Sequence, residues 1–390
     1  MSTASIAAPA PSAAPRPALT LAERIAWVVA IAFVTRAAMV LIGLLALVVF
    51  ARGEFFSTET LVGLGVHWDA GWYLSIVEGG YSQDWPDTQV GATNFAFFPV
   101  YPLLVRAAVL ATGLSAPVAG IMVSNLLFLG ALLLAMLWVE DLGYPPVVER
   151  AVVVVLCTVP GGYVFSVVYT ESTFLFLLLL AVWATRRERF WLAALAAATL
   201  SATRSIGLFF AVWAAVHLVH RHGRGVIDAI AENPRRLLPV VFAPLGLVLY
   251  WWWCWYATGD AFAQVHTAAR GWGWTLGLPG RSLLLAFRSG EINNIFFAVS
   301  SLVAAAMVPG LVAMRRWEEA AFAAVCLLLY WSGATANSLL RYALVVVPLH
   351  LPIAVLAERR PMIFATVVGL FALLGGFLTV AWALGKNITI

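Results

Sequence analysis

Charged residues are scarce in this chain of 390 residues. Only 11% of its residues are Asp, Glu, Lys or Arg, whereas 63% are hydrophobic. A soluble domain has about a quarter charged and about half apolar residues, so a soluble fold of this length could not bury so much apolar surface. The composition therefore excludes a water-soluble domain and predicts an all-α polytopic integral membrane protein.

Lysine and cysteine are also rare. Of the 23 basic residues, one is a lysine, Lys386, and the others are arginines. Cys157, Cys254 and Cys326 lie inside apolar runs, with no spacing typical of a metal site or of a disulfide framework. The net charge of +4 does not indicate nucleic acid as a partner, because the arginines fall in short groups between apolar runs, as the positive-inside rule requires.

Long apolar runs divide the chain. Residues 1–20 are rich in Ala, Pro and Ser and are predicted to be a disordered cytoplasmic tail. A cleaved signal peptide is not expected, because the next apolar run is too long and many more follow. Residues 21–390 are predicted to form a single transmembrane domain of about eleven spans. The apolar runs are 25–50, 117–139, 151–168, 172–185, 190–203, 205–219, 237–257, 292–314, 318–334, 342–357 and 361–384.

The orientation follows from the arginine clusters, which should be cytoplasmic. The clusters are Arg186-Arg187-Glu188-Arg189, then Arg221, Arg224, Arg235 and Arg236, then Arg315-Arg316, then Arg359-Arg360. With the N-terminus inside, all of them are cytoplasmic only if the run 95–113 does not cross. This run is therefore predicted to be a juxtamembrane helix within an extracytoplasmic loop, 51–116. The same topology brings polar groups from five separated segments to the extracytoplasmic side, which is the layout expected of a site facing the outer leaflet.

The first loop carries the densest group of reactive side chains, His67-Trp68-Asp69-Ala70-Gly71-Trp72-Tyr73. Asp69 either acts as a general base that accepts a proton from a hydroxyl group or caps a short interfacial helix. Asp69 and Tyr73 are four residues apart and share one helix face.

The neighbours of Asp69 have alternative interpretations. Trp68, Trp72 and Tyr73 suit a membrane interface and also suit stacking on a sugar ring. His67 is either a substrate contact or a hydrogen-bonded neighbour, and Glu78 is either a substrate contact or a solvated charge.

Two further segments place charges between apolar runs. Glu171, in Tyr169-Thr170-Glu171-Ser172, and Arg204, in Thr203-Arg204-Ser205, either form a structural ion pair or leave the arginine available to bind a phosphate group. Arg341, at the outer end of a predicted span, either reaches the surface or provides a second phosphate contact.

The loop 258–291 combines Asp260, His266 and Trp272. These residues are candidate substrate contacts, or they belong to an amphipathic interfacial helix followed by an aromatic belt. No His or carboxylate lies at a zinc or calcium spacing, so no metal site is predicted.

Several of these segments together resemble the PIG-V family, the GPI mannosyltransferase II-like proteins, in its bacterial branch; that family belongs to the GT-C superfamily. The matching segments are His67-Trp68-Asp69-Ala70-Gly71-Trp72-Tyr73 with Gly80-Tyr81, Phe97-Phe98-Pro99-Val100-Tyr101-Pro102, Tyr169-Thr170-Glu171-Ser172, Thr203-Arg204-Ser205, Gly259-Asp260-Ala261-Phe262 and Arg341-Tyr342. The first segment is quite specific, and the others are persuasive in combination. This chain has His67 where the family often has Arg, and Ile206 where it often has Asn.

The resemblance implies a GT-C-like bundle and a cell-membrane glycosyltransferase that moves mannose from a polyprenyl-phosphate mannose donor to an extracytoplasmic glycan or glycolipid acceptor. It implies an inverting reaction without metal or other cofactor, with Asp69 as the base. Arg204 and Arg341 would then hold the donor phosphate.

Three alternatives stay open. A GT-C enzyme could move glucose or a pentose instead of mannose. A transporter or lipid flippase would place its charges near the bilayer midplane and often shows repeated halves, whereas the charges here gather at one end and no repeat is visible. A non-catalytic subunit would only position a partner.

Overall fold

A computed structural model describes residues 18–51, 57–82 and 92–386 of the chain. Most of the predicted tail, 1–17, and parts of the first loop lie outside the described residues. The described residues form twenty α-helices and no β-strand. The first ten are α1 (Leu21–Ala46), α2 (Thr58–Gly63), α3 (Ala70–Gly79), α4 (Val100–Thr112), α5 (Ala116–Asp141), α6 (Pro146–Thr158), α7 (Glu171–Arg186), α8 (Phe190–Ser201), α9 (Phe210–His222) and α10 (Val226–Glu232). The second ten are α11 (Leu238–Phe242), α12 (Leu245–Thr258), α13 (Ala263–Trp272), α14 (Arg281–Ser289), α15 (Ile292–Ala305), α16 (Met307–Ala313), α17 (Trp317–Trp331), α18 (Leu339–Leu344), α19 (Leu351–Arg359) and α20 (Pro361–Ala383).

Helix boundaries follow local chemistry. At the start of α1, the Thr20 hydroxyl accepts the Glu23 backbone N–H, and the Glu23 carboxylate accepts the Thr20 N–H, which is a capping box. The helices α4 and α12 each end at a glycine with positive φ, Gly113 (φ 71°) and Gly259 (φ 76°). Gly113 allows the short connection to α5, and Gly259 begins the segment that leads to α13.

Four described helical segments are long and apolar enough to cross a bilayer: Leu21–Ala51, Ala116–Asp141, Ile292–Ala313 and Pro361–Ala383. A fifth would be the pair Pro234–Phe242 and Leu245–Thr258, which is bent by 45°. The remaining apolar runs form shorter helices. The chain is thus a multi-pass, membrane-embedded helical protein, while the count of eleven spans stays a prediction.

Several predicted spans are broken, and two of the breaks lie at Pro or Gly residues. The helix predicted over 151–168 ends at Thr158, because Pro160, Gly161 (φ 82°) and Gly162 follow. The run 342–357 is interrupted near Pro348, so that α18 ends at Leu344 and α19 begins at Leu351.

The irregular segment 159–170 is held by polar side chains from neighbouring helices. Arg36 of α1 donates to the carbonyl oxygens of Gly162 (2.7 Å) and Cys157 (2.8 Å). Asn125 of α5 donates to the Ser166 carbonyl at 3.2 Å. Irregular backbone is tolerated at membrane depth only where the protein satisfies it in this way. These contacts fix the segment that leads into Glu171.

The two ends of α7 differ in chemistry. Glu171 begins the helix and Arg186 lies in its last turn, about 22 Å away at 1.5 Å per residue. At the Arg186 end the structure gathers further ion pairs, including Arg187 with Asp141 (2.8 Å). The predicted cytoplasmic arginines of this region therefore lie at the end of α7 opposite to Glu171. The side of the membrane that each end faces stays a prediction.

Candidate active site

Asp69 and Arg341 form an ion pair across 272 residues of sequence. The Arg341 Nη1 atom donates to Asp69 Oδ2 at 2.7 Å, and the two side chains are only 15% and 8% exposed. Asp69 precedes the first turn of α3, but its side chain makes no capping hydrogen bond. The capping role is therefore wrong, and the carboxylate faces the bundle interior. No described residue donates a hydrogen bond to Asp69 Oδ1, so this oxygen remains available as an acceptor.

A second carboxylate–arginine pair lies beside the first. Arg204 Nη1 donates to Glu171 Oε1 at 2.6 Å, and Arg341 Nε lies 3.5 Å from the same oxygen. Two carboxylates and two guanidinium groups thus form one continuous cluster whose formal charges cancel. The predicted ion pair of Glu171 and Arg204 is present. Because Glu171 is 1% exposed, its charge needs such partners to be tolerated.

Arg204 lies in the turn between α8 and α9, and its charge is set by this cluster. Burial lowers the pKa of its guanidinium, but the Glu171 carboxylate raises it, and the net pKa is above the ordinary value of arginine. The group is therefore a permanent cation. It also donates to the Thr170 hydroxyl at 3.2 Å.

Aromatic rings line the cation cluster. The Arg341 guanidinium carbon lies 5.1 Å from the centre of the Tyr169 ring, and the Arg204 guanidinium carbon lies 5.3 Å from that of Tyr342. Such contacts stabilise a cation in a site with little water. They also fix both planar guanidinium groups in place, leaving less conformational entropy to lose when an anion binds.

Tyr169 also fixes the backbone on both sides of Trp68. Its hydroxyl donates to the His67 carbonyl and accepts from the Asp69 N–H, both at 3.3 Å. Between them Trp68 has φ 54°, a left-handed conformation that is unfavourable for an aromatic residue. Ser338, which accepts a hydrogen bond from Arg341 Nη2 at 3.3 Å, also has positive φ, 68°. Backbone strain thus flanks both members of the Asp69–Arg341 pair, as is common at functional sites.

Tyr73 connects α3 to the second pair. Its hydroxyl lies 3.4 Å from the Thr170 hydroxyl, which Arg204 also contacts. Burial raises the pKa of the Tyr73 phenol, so the group stays protonated and can donate a hydrogen bond. The expected shared face of Asp69 and Tyr73 is present, since both side chains point toward the Glu171 cluster.

The predicted aromatic contacts divide into two groups. Trp272 of α13 packs against Trp72 (ring centres 5.6 Å apart) and Phe97 (5.5 Å), so the loop 258–291 closes over α3. Trp68 is 45% exposed beside Asp69. His67 packs edge-on against Trp382 of α20 at 5.3 Å, and burial lowers the pKa of its imidazole. His67 is therefore neutral at pH 7 and supplies no positive charge.

Three predicted contacts lie outside this cluster. Glu78 is exposed near the end of α3, about 13 Å along the helix from Asp69. Asp260 and His266 pair with each other at 2.7 Å between α12 and α13, and both side chains are partly solvent-exposed. None of the three contacts Asp69, Glu171, Arg204 or Arg341 among the described residues.

Sequence reasoning did not assign Tyr169, Ser338 or Trp382 to the site. Tyr169 belongs to the segment Tyr169-Thr170-Glu171-Ser172, and its position two residues before a Glu between apolar runs was the available signal. Trp382 donates to the Leu64 carbonyl at 2.7 Å and contacts His67, but nothing in its apolar run marks it. Within the described ranges, no group of three or more His, Cys, Asp or Glu side chains could hold a metal ion.

The arrangement has a defined chemical capacity. A carboxylate with one oxygen held and the other open can accept a proton from a hydroxyl group within hydrogen-bond reach. Two adjacent guanidinium groups can stabilise an anion that develops next to it.

Comparison with known proteins identifies relatives of this chain. A family model described as mannosyltransferase (PIG-V) matches residues 45–250. Human GPI alpha-1,6-mannosyltransferase 2 is 30% identical over 206 residues, which are 49% of this chain and 38% of the human protein. The matched region thus spans well under half of that relative.

Solved structures give a weaker likeness. The apo oligosaccharyltransferase of Archaeoglobus fulgidus aligns with 90% of this chain and 56% of its own, with a TM-score of 0.49 and 10% identity. The same organism's oligosaccharyltransferase AglB, in complex with an inhibitory peptide and a dolichol-phosphate, aligns with 93% and 56%, with a TM-score of 0.48 and 11% identity. Likeness at these scores is too weak to establish a shared fold.

Proposed function

The chain belongs to the mannosyltransferase (PIG-V) family, and we propose that it transfers mannose from a polyprenyl-phosphate mannose donor to a lipid-linked glycan or glycolipid acceptor at the outer face of the membrane. The family match covers slightly more than half of the chain and includes Asp69, Glu171 and Arg204. Arg341 lies outside the matched region and is brought to it by the fold.

In the proposed reaction, Asp69 Oδ1 removes the proton from an acceptor hydroxyl group. The resulting oxygen nucleophile forms a bond to C1 of mannose while the bond between C1 and the phosphate oxygen breaks. Attack from the face opposite the phosphate inverts the configuration at C1. The bonding electrons leave with the polyprenyl phosphate, and Asp69 holds the proton until solvent removes it.

Arg341 and Arg204 have two roles in this proposal. Arg341 holds Asp69 Oδ2 and thereby orients Oδ1 toward the acceptor. Both guanidinium groups stabilise the negative charge that develops on the leaving phosphate. Glu171 keeps the two cations together in the absence of substrate, because the two guanidinium groups would otherwise repel each other. Trp68, Trp72 and Trp272 supply apolar faces for the sugar ring.

The observation that carries this proposal is the contact of 2.7 Å between Asp69 Oδ2 and Arg341 Nη1. It supports the proposal because a general base and a cation that holds the leaving phosphate have to lie close together.

The test uses the purified chain, a radiolabelled polyprenyl-phosphate mannose and a membrane lipid extract. Label should appear in an extract component with wild-type protein, and the initial rate should fall at least about 100-fold in Asp69→Asn. Glu59→Gln is the matched control, since Glu59 is an exposed carboxylate in α2. Turnover by Asp69→Asn above about a tenth of the wild-type rate would exclude the general-base role, and no transfer by wild type would exclude the donor. A panel of glucose and pentose donors tests the choice of sugar.

A further inference from the structure

Tyr330, in the last turn of α17, carries a buried hydroxyl group that none of the described residues bonds. The residue is 8% exposed, as is the side chain of Arg341, and its hydroxyl has no hydrogen-bond partner within the described ranges. A buried polar group without a partner costs free energy, so native structures retain few of them and each needs an explanation. The Tyr330 hydroxyl is therefore a candidate for a bond to a ligand.

The surroundings of Tyr330 fix its ring in place. The ring stacks on that of Tyr342, with centres 4.5 Å apart and 17° between the two planes. The Ser282 hydroxyl of α14 donates to the backbone carbonyls of Tyr330 (3.4 Å) and Trp331 (3.2 Å). The Tyr330 side chain is thus held before a ligand arrives, and a hydrogen bond from it costs little conformational entropy.

Tyr330 belongs to the same cluster as the two site arginines. The guanidinium carbons of Arg204 and Arg341 lie 5.3 Å and 5.4 Å from the ring centre of Tyr342, the stacking partner of Tyr330. The electrostatic interaction of Arg204 with the Tyr330 phenol is stronger than that with any other ionisable side chain except Glu171. The unpartnered hydroxyl therefore lies near the cation to which the proposed function assigns the leaving phosphate.

The charge balance of the cluster favours a neutral donor at this position. Asp69 and Glu171 already balance the charges of Arg341 and Arg204, so an incoming phosphate meets no net positive charge. A phenol O–H can bond a phosphate oxygen without adding a charge that would itself need a buried partner. Such a bond becomes stronger as negative charge develops on the leaving group.

We propose that the Tyr330 hydroxyl donates a hydrogen bond to the phosphate of the polyprenyl donor and acts with Arg204 on the leaving group. This assignment rests on the proposed glycosyl transfer and adds a catalytic residue from outside the matched region 45–250. When the bond between C1 and the phosphate oxygen breaks, the electron pair stays on the phosphate. Tyr330 keeps its proton, and only its hydrogen bond to the phosphate becomes stronger.

A binding experiment tests Tyr330 without requiring catalysis. Undecaprenyl phosphate, which carries the charge of the departed leaving group, is titrated against the full chain in neutral detergent, and undecaprenol is the matched ligand without a phosphate. Tyr330→Phe should weaken binding of undecaprenyl phosphate about tenfold, as expected for one hydrogen bond to a charged group. Its affinity for undecaprenol should equal that of wild type.

The matched control for binding is Tyr144→Phe. The Tyr144 hydroxyl donates a hydrogen bond to Met314, and the residue lies between α5 and α6, so this variant should bind undecaprenyl phosphate like wild type. Equal affinity of Tyr330→Phe and wild type for undecaprenyl phosphate would overturn the assignment. Equal weakening of undecaprenol binding would also overturn it, because the effect would then not depend on the phosphate.

Thermal stability separates a ligand contact from a structural role. Tyr330→Phe keeps the ring on Tyr342 and removes only an unpartnered hydroxyl. Its Tm in detergent without ligand should therefore equal or exceed that of wild type. A hydroxyl with a structural hydrogen bond would instead stabilise the protein, so a lower Tm in Tyr330→Phe would contradict the proposal.

Kinetics give the third measurement. Tyr330→Phe should lower kcat about tenfold or more and leave the acceptor KM unchanged, because the hydroxyl bonds only the leaving phosphate. A wild-type kcat would exclude a catalytic role. Absence of mannose transfer by wild type would instead remove the proposed function, while the binding of undecaprenyl phosphate would still decide whether Tyr330 contacts a phosphate. The two failures are therefore distinguishable.

Discussion

Arg341 Nη1 lies 2.7 Å from Asp69 Oδ2, and this single contact joins the first loop of the chain to a helix 272 residues later. The pair is flanked by two non-glycine residues with positive φ, Trp68 and Ser338. A carboxylate and a cation held at this separation in a buried site suit the transfer reaction proposed above.

Arg341→Gln is expected to reduce kcat/KM by about 100-fold or more. The substitution removes a charge that stabilises the leaving phosphate, and it also removes the ion pair that orients Asp69. Steady-state kinetics at varied donor concentration should show both a lower kcat and a higher donor KM. Arg288→Gln should keep wild-type kinetics, since that exposed arginine lies on α14. Wild-type donor KM in Arg341→Gln would contradict the phosphate role.

Glu171→Gln should destabilise the protein by about 3–5 kcal/mol, because it leaves the buried Arg204 charge without its partner at 2.6 Å. The double variant Glu171→Gln/Arg204→Met should recover much of this stability, since it removes both charges, yet it should remain inactive. Thermal unfolding in detergent, followed with transfer assays, measures both effects.

The control for these Glu171 and Arg204 variants is the exposed ion pair Arg221–Glu188, whose side chains are each 43% exposed. Removing either member should cost less than about 1 kcal/mol. Recovered activity in the double variant would show that Arg204 has only a structural role.

Tyr169→Phe removes the hydroxyl that bonds His67 and Asp69 at 3.3 Å while keeping the ring under Arg341. We expect kcat to fall several-fold, with little change in donor KM, because the orientation of Asp69 loosens while the cations stay in place. Loss of these two bonds should lower stability by about 1 kcal/mol. Tyr144→Phe is the matched control. Tyr144 lies between α5 and α6, remote in the fold from Asp69, and its hydroxyl donates a hydrogen bond to Met314. An unchanged kcat in Tyr169→Phe would show that the two hydrogen bonds of the Tyr169 hydroxyl do not orient Asp69.

The predicted orientation can be tested by labelling single introduced cysteines. Cys157, Cys254 and Cys326 are fully buried, so the background from native thiols should be low. Glu59→Cys should react with a membrane-impermeant maleimide in intact cells, whereas Arg224→Cys should react only after the membrane is opened. The reverse pattern would place the Asp69 cluster on the cytoplasmic side and contradict an extracytoplasmic acceptor.

Local chemistry explains which parts of the fold were predictable. Each of the eleven apolar runs contains helix, because residues of high hydropathy in lipid must satisfy their backbone internally. The breaks after Thr158 and near Pro348 were visible as Pro and Gly residues, but a run of apolar residues could not show whether a helix continues through them.

The sequence by itself determined that this is a membrane protein and that its charges collect in a few segments. It also identified Asp69, Glu171, Arg204 and Arg341 as candidate site residues. Hydropathy and charge are properties of local sequence, so no fold was needed for these conclusions. Only the tertiary structure decided that Asp69 pairs with Arg341 rather than capping α3 and that Asp260 and His266 form a separate pair. The physical reason is that an ion pair depends on distance, and the helices that set this distance are separated by hundreds of residues whose packing no local pattern specifies.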